Sequence, residues 1–170
     1  VLEGNGCTAE AWENVTAGDG FDASKIRNVQ FAGKVEIGGM KSRTVEADDG
    51  IPRLCGISNA RLSNIKTGED CSISDVKGWL SNLDIGGRVI IENTGTISCD
   101  GKSSFGNGHE ISVFNEGGGR ELKITDVTSS QVAYLTVMYR ENKELISRLA
   151  GMASAYASAK KSDRSSIGEG

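Results

Sequence analysis

The chain has 170 residues, a formal net charge of −4, aromatic residues at only 5% of positions, 23 glycines and a single proline, Pro52. That length suffices for one domain with a sizeable core. No basic arm or stripe supports nucleic-acid binding, and no apolar run is long enough to span a membrane. The scarcity of aromatics fits a solenoid of short strands better than a globular α/β enzyme.

Residues 1–14 read as an entry cap, with Thr8 as N-cap of a helical turn and Trp12 covering the first coil. From Val15 a repeat sets in: Val15 opens a hexad, Phe21 and Ile26 open pentads, Phe31 a hexad, and Ile37-Gly38 the next. Residues 39–56 break the pattern, and the polar run from Met40 to Asp49 predicts a loop or hairpin thrown out of a coil. The repeat resumes as Ile57, Leu62, Thr67, Ile73, Leu80, Ile85, Ile91 and Ile97, mostly five or six positions apart, with Gly78-Trp79 inserted. Neither a helix nor a simple strand has that spacing. It predicts a mainly β chain, a parallel β-helix of pentapeptide and hexapeptide coils. Pentads carry Asn28, Asn59, Asn64, Asn82 or Asp75 at the third place, residues that tolerate the left-handed backbone of a tight corner. Hexads place Ala32, Gly38, Gly68 or Gly86 beside the aliphatic residue. Coils are expected over 15–127, with Glu121 to Val127 as a last strand.

Thr128-Ser-Ser-Gln131 has the form of a capping box. Apolar residues then recur from Val132 to Tyr139 and from Leu145 to Tyr156. They predict one helix or a helical pair over 128–160, with one apolar face on the solenoid and Asn142 nicking it. Tyr134, Tyr139 and Tyr156 read as packing residues. Residues 161–170 read as a polar linker and, at Ile167, the start of a further coil in a longer chain.

Four cysteines, Cys7, Cys55, Cys71 and Cys99, form no C-x-x-C pair, and the lone histidine is His109, which argues against a structural zinc site. Buried reduced thiols, with no signal peptide in view, predict a cytoplasmic protein. Phe105 to Arg120 concentrates the chemistry. Gly106, Gly108 and Gly117 to Gly119 allow a backbone to approach an anion, Arg120 suits a phosphate or carboxylate, and Glu116 suits a general base. The bland alternative is a tight loop in which Glu116 and Arg120 pair. Gly117-Gly-Gly-Arg120 is followed by a strand pattern rather than a helix, so it is not a dinucleotide loop.

Several segments resemble a bacterial family of unknown function, DUF4954: Gly6-Cys-Thr-Ala-Glu-Ala-Trp12, Asn28-Val-Gln-Phe-Ala-Gly-Lys-Val35, Gly56-Ile-Ser-Asn-Ala60, Phe105-Gly-Asn-Gly108, Asn115-Glu-Gly-Gly-Gly-Arg120, and the helix from Gln131 to Arg140. The resemblance covers nearly the whole chain and implies a left-handed β-helix at the N-terminal part of a longer parent. Members are often labelled as related to UDP-N-acetylglucosamine pyrophosphorylase, but the nucleotidyltransferase core is not in this chain. Asn107, Asn115, Glu116 and Arg120 fall within the matching motifs, and Arg140 follows Tyr139 at the matching place.

Two functions follow as expectations. The first is a sugar-nucleotide or acyl-group transferase-like protein. Glu116 would be catalytic, and Gly106, Asn107, Gly108, Asn115, Arg120 and Arg140 would bind a nucleotide sugar or other anionic small molecule. The second is a non-catalytic solenoid scaffold or binding module that forms homo-oligomers. Neither reading specifies a cofactor, and neither implies a nucleic-acid or membrane partner.

Overall fold

The computed structural model describes residues 1–112, 118–119 and 121–168. Its strands in chain order are β1 (Thr8–Ala9), β2 (Val15–Ala17), β3 (Ile26–Ile37), β4 (Thr44–Val45), β5 (Arg53–Leu54), β6 (Gly56–Thr67), β7 (Ser72–Ser74), β8 (Leu80–Ile85), β9 (Ile90–Glu92), β10 (Ile97–Ser98), β11 (His109–Ser112), β12 (Glu121–Ile124) and β13 (Ser165–Ile167). The helices are α1 (Ser130–Met138) and α2 (Lys143–Lys160). Two units result: one of Val1–Asp100 with Arg164–Gly170, the other of Gly101–Asp163.

In the first unit the pentad asparagines do what their chemistry allows. Asn28, Asn59, Asn64, Asp75 and Asn82 all have φ between 50° and 55°, so each turns the chain in one residue. The strands they separate pair parallel and in register. Ile26, Ile57, Ile73 and Ile91 form one column. Phe31, Leu62, Leu80 and Ile97 form a second, and Val35, Ile65 and Leu83 a third. Nearly all these side chains are buried. At roughly 1.5–3 kcal/mol each, they supply most of this unit's stabilisation. Among the described residues nine strands form this mostly parallel sheet.

Thr67 occupies an aliphatic position but is buried without penalty, because its Oγ1 accepts from the Gly38 amide at 2.9 Å. The hexad glycines answer a steric demand. A Cβ on Gly38 would strike the Gly68 carbonyl, and one on Gly68 would strike the Gly86–Gly87 backbone. All four cysteines are buried and none is in a disulfide among the described residues, as expected.

The break at 39–56 contains the expected hairpin, β4 against β5. Lys25 Nζ donates to the Met40 and Ser42 carbonyls at 2.6 and 2.8 Å, and Asp70 accepts from both Ser42 N and Oγ. Arg53 joins Asp49 to Glu92.

Three expectations are corrected. Thr8 caps no helix: β1 pairs with Gln30 and Phe31 of β3, because an edge strand satisfies more backbone groups than an isolated turn. Trp12 lies in a short 3-10 turn and does cover the first layer, with its ring 6.1 Å from that of Phe31. The layers end at Asp100, not at residue 127. β11 and β12 form an antiparallel hairpin within the second unit. The helical segment is a pair. Ser129, not Thr128, caps α1, and Asn142 caps α2 with Oδ1 accepting from Leu145 N at 3.1 Å. Thr128 instead hydrogen-bonds Thr125. Within their unit the helices pack on each other and on β12.

After α2 the chain rejoins the parallel sheet, as the Ile167 pattern predicts: β13 pairs with Leu83, Asp84 and Ile85 of β8. Arg164 fixes the return. It contacts both Asp84 carboxylate oxygens and donates to the Asn64 and Leu83 carbonyls at 3.0 Å.

Candidate functional site

The second unit holds a cleft of about 460 Å³ between the hairpin and the two helices. β12 supplies Leu122 and Lys123 to its lining. Val132 and Thr136 come from α1, and Ile146, Leu149, Ala153 and Tyr156 from α2, at the three- and four-residue spacing that puts them on one helical face. Polar groups line the cleft as well. Lys123 Nζ lies 3.7 Å from Glu110 and donates to Ser154 Oγ at 3.2 Å. Thr125 and Thr128 share a hydroxyl–hydroxyl bond of 2.9 Å. Near α2's end, Lys160 lies 5.4 Å from the centre of the Tyr156 ring and 3.9 Å from Asp126. The Tyr156 hydroxyl, then Asp126, hold the Lys160 ammonium above its ordinary pKa.

Phe105, Gly106 and Gly108 all have positive φ, so the Phe105–Gly108 segment is a tight left-handed turn. Asn107 is buried and both ends of its amide are engaged: Nδ2 donates to the Ser104 carbonyl and Oδ1 accepts from Asp126 N, each at 2.8 Å. That residue ties the turn to the chain leaving β12, beside the start of β11. Gly108 is constrained by packing as well, since a Cβ there would lie 2.7 Å from Ala157 Cβ. Gly106 faces open space. Arg140 lies beyond α1, pairs with Glu141 at 3.5 Å and does not line the cleft. Asn115, Glu116, Gly117 and Arg120 lie outside the described residues. His109 is exposed on β11. Tyr134 and Tyr139 are more than half exposed and stack edge-on at 6.5 Å, so of the three tyrosines only Tyr156 lines the cleft.

Sequence reading missed Lys123, Ser154, Thr125 and Thr128. Lys123 and Ser154 are 31 positions apart, and only the helix-on-hairpin packing joins them. No helix among the described residues is long and apolar enough to cross a membrane, and no three His, Cys, Asp or Glu side chains among them group as metal ligands.

These features define a mainly β protein with a largely parallel sheet, interrupted in sequence by a helix–hairpin unit that carries a cleft. The chain belongs to the family described as Domain of unknown function (DUF4954), whose profile matches residues 1–170. A relative from Treponema pallidum (strain Nichols), described as an uncharacterized protein, is 29% identical over 164 residues. The match covers 89% of this chain and 22% of the relative, so the chain spans about a fifth of that protein's length. No solved structure matches.

Proposed function

We propose that this chain is a ligand-binding part of a larger protein, in which the helix–hairpin cleft receives an acyl-bearing, amphipathic small molecule. The observation that carries the reading is the cleft's composition: apolar side chains, among them Leu122, Val132, Ile146 and Leu149, make up much of its lining, with Lys123, Thr125, Thr128 and Thr136 among its polar residues. Its volume suits a small molecule. The described lining holds Glu110 and Glu121 against one cation, Lys123, and this balance favours an apolar body over a phosphate. The acyl side of the transferase-like expectation therefore has more support than the sugar-nucleotide side. The parallel sheet is proposed to be a left-handed β-helix, on the strength of the pentad–hexad repeat and the left-handed corner asparagines.

Titrating the chain with a dansylated fatty acid tests the reading. Saturable fluorescence enhancement is expected, weakened roughly tenfold by Ala153→Trp, which fills the cleft with a side chain. UDP-sugars should not compete. Equal affinity in the two proteins, or no binding to the native chain, overturns it.

A further inference from the structure

A second concavity, of about 500 Å³, lies wholly within the parallel-sheet unit and is independent of the cleft reading. It arises from the register. Thr8 pairs with Gln30 and Gln30 with Arg61. The β6–β7 register, with Val76 N bonded to the Asn59 carbonyl, carries the column on to Lys77. All four side chains are exposed. Two positions back along each layer stands a second exposed column, Asn28, Asn59 and Asp75. Its members are chained upward: Asn28 Nδ2 donates to Asn59 Oδ1, and Asn59 Nδ2 to Asp75 Oδ1, each at 2.8 Å. Between the columns Val29, Ala60 and Val76 turn inward and are buried. The result is a groove along the stacking direction, about 14 Å from the Thr8 layer to the Lys77 layer at the spacing of adjacent strands.

The two walls differ chemically. One is a row of amides ending in a carboxylate. Each asparagine amide uses one N–H in the ladder and keeps a second, so the row offers both donors and acceptors. The other wall runs from a hydroxyl and an amide to two cations on adjacent layers. Among the described residues neither Arg61 nor Lys77 has an ion-pair partner. Side-chain amides pair well with sugar hydroxyls, which also donate and accept. The adjacent cations need an anion. The shallow, open, elongated form suits a short chain rather than a compact molecule.

We propose that this groove binds an acidic saccharide, with its anionic group on Arg61 and Lys77 and its hydroxyls on Gln30, the Asn28–Asn59 amides and Asp75. The anion is a carboxylate or a phosphate, and the probes separate the two. Trigalacturonate, glucose 6-phosphate and neutral maltotriose are titrated into the intact chain by calorimetry, with the side-chain amide resonances of Asn28 and Asn59 followed by NMR. At least one acidic probe is expected to bind at least tenfold tighter than maltotriose and to shift both amide resonances. The Arg61→Gln/Lys77→Gln variant, whose changes are confined to exposed side chains, is expected to lose that preference roughly tenfold with unchanged circular dichroism. Response to glucose 6-phosphate alone identifies the anion as phosphate; response to trigalacturonate alone identifies it as carboxylate. Failure of both acidic probes, equal binding of maltotriose, or unaltered affinity in the double variant overturns the proposal. If the variant misfolds, the amide shifts of the native chain decide.

Discussion

Single glycines control the stacking of the parallel layers. At Gly38 a methyl group would meet the Gly68 carbonyl, a rigid backbone atom that cannot swing aside. Gly38→Ala is therefore expected to destabilise the chain by about 3 kcal/mol, the upper part of the usual range for overpacking. Gly95→Ala, with open space around the new methyl, should change stability by less than about 0.5 kcal/mol. Urea denaturation of the two variants checks the contrast. Asp70 acts through charge. Hydrogen bonds from the Ser42 hydroxyl and amide, with Lys25 nearby, hold its carboxyl below the ordinary 3.8 despite some desolvation. A carboxylate with a depressed folded pKa stabilises fully above its unfolded value and loses that contribution as pH falls through the folded one. The loss accordingly begins near pH 3.8 and grows below it. Asp70→Asn should be less stable than the native chain at neutral pH and lose less on acidification, as thermal melts across that range would show. The Cys71 thiol is pushed up by burial, so it should react with a thiol reagent only as the chain unfolds.

At the scale of elements, the return of the chain to the sheet depends on Arg164. Its guanidinium is partly exposed, so the Asp84 pair is screened, but its bonds to two carbonyls hold β13 on β8. Arg164→Ala is expected to cost about 1–2 kcal/mol and to speed amide exchange in Ser165–Ile167. Asn142→Ala should remove about 1 kcal/mol by uncapping α2. These elements also show what a sequence displays and what it hides. The corner asparagines were readable because their side-chain chemistry matches a left-handed backbone. Asp70, Arg88 and Asn93 adopt the same conformation, with φ of 54°, 55° and 51°, and were not. Arg88 has no such intrinsic preference, and its layer imposes the turn. Glu121 to Val127 reads as a strand, but its antiparallel partner does not, because the four residues of β11 are too few for alternation to stand out. The capping box was misplaced by one residue because several hydroxyls in a row can serve, and packing chose Ser129.

At the scale of the molecule, the periodic aliphatics were legible because parallel strands in register bring residues from successive periods into the same buried columns. The site of interest was legible only as a location. Interruption of the repeat pointed to the segment after residue 100, but the cleft there is built from residues far apart in sequence. Asn107 shows the limit: a polar residue in a glycine-rich motif suggested ligand binding, and its amide is used to close a turn. The family assignment brings no chemistry with it, and the chain spans about a fifth of its Treponema relative, so the cleft has to be tested directly. The most direct measurement is hydrogen–deuterium exchange on the chain with and without a dansylated fatty acid. Protection is expected in β12 and on the cleft-facing turns of α1 and α2, with the parallel layers unchanged. Protection confined to the layers, or none at a saturating ligand concentration, would contradict the account.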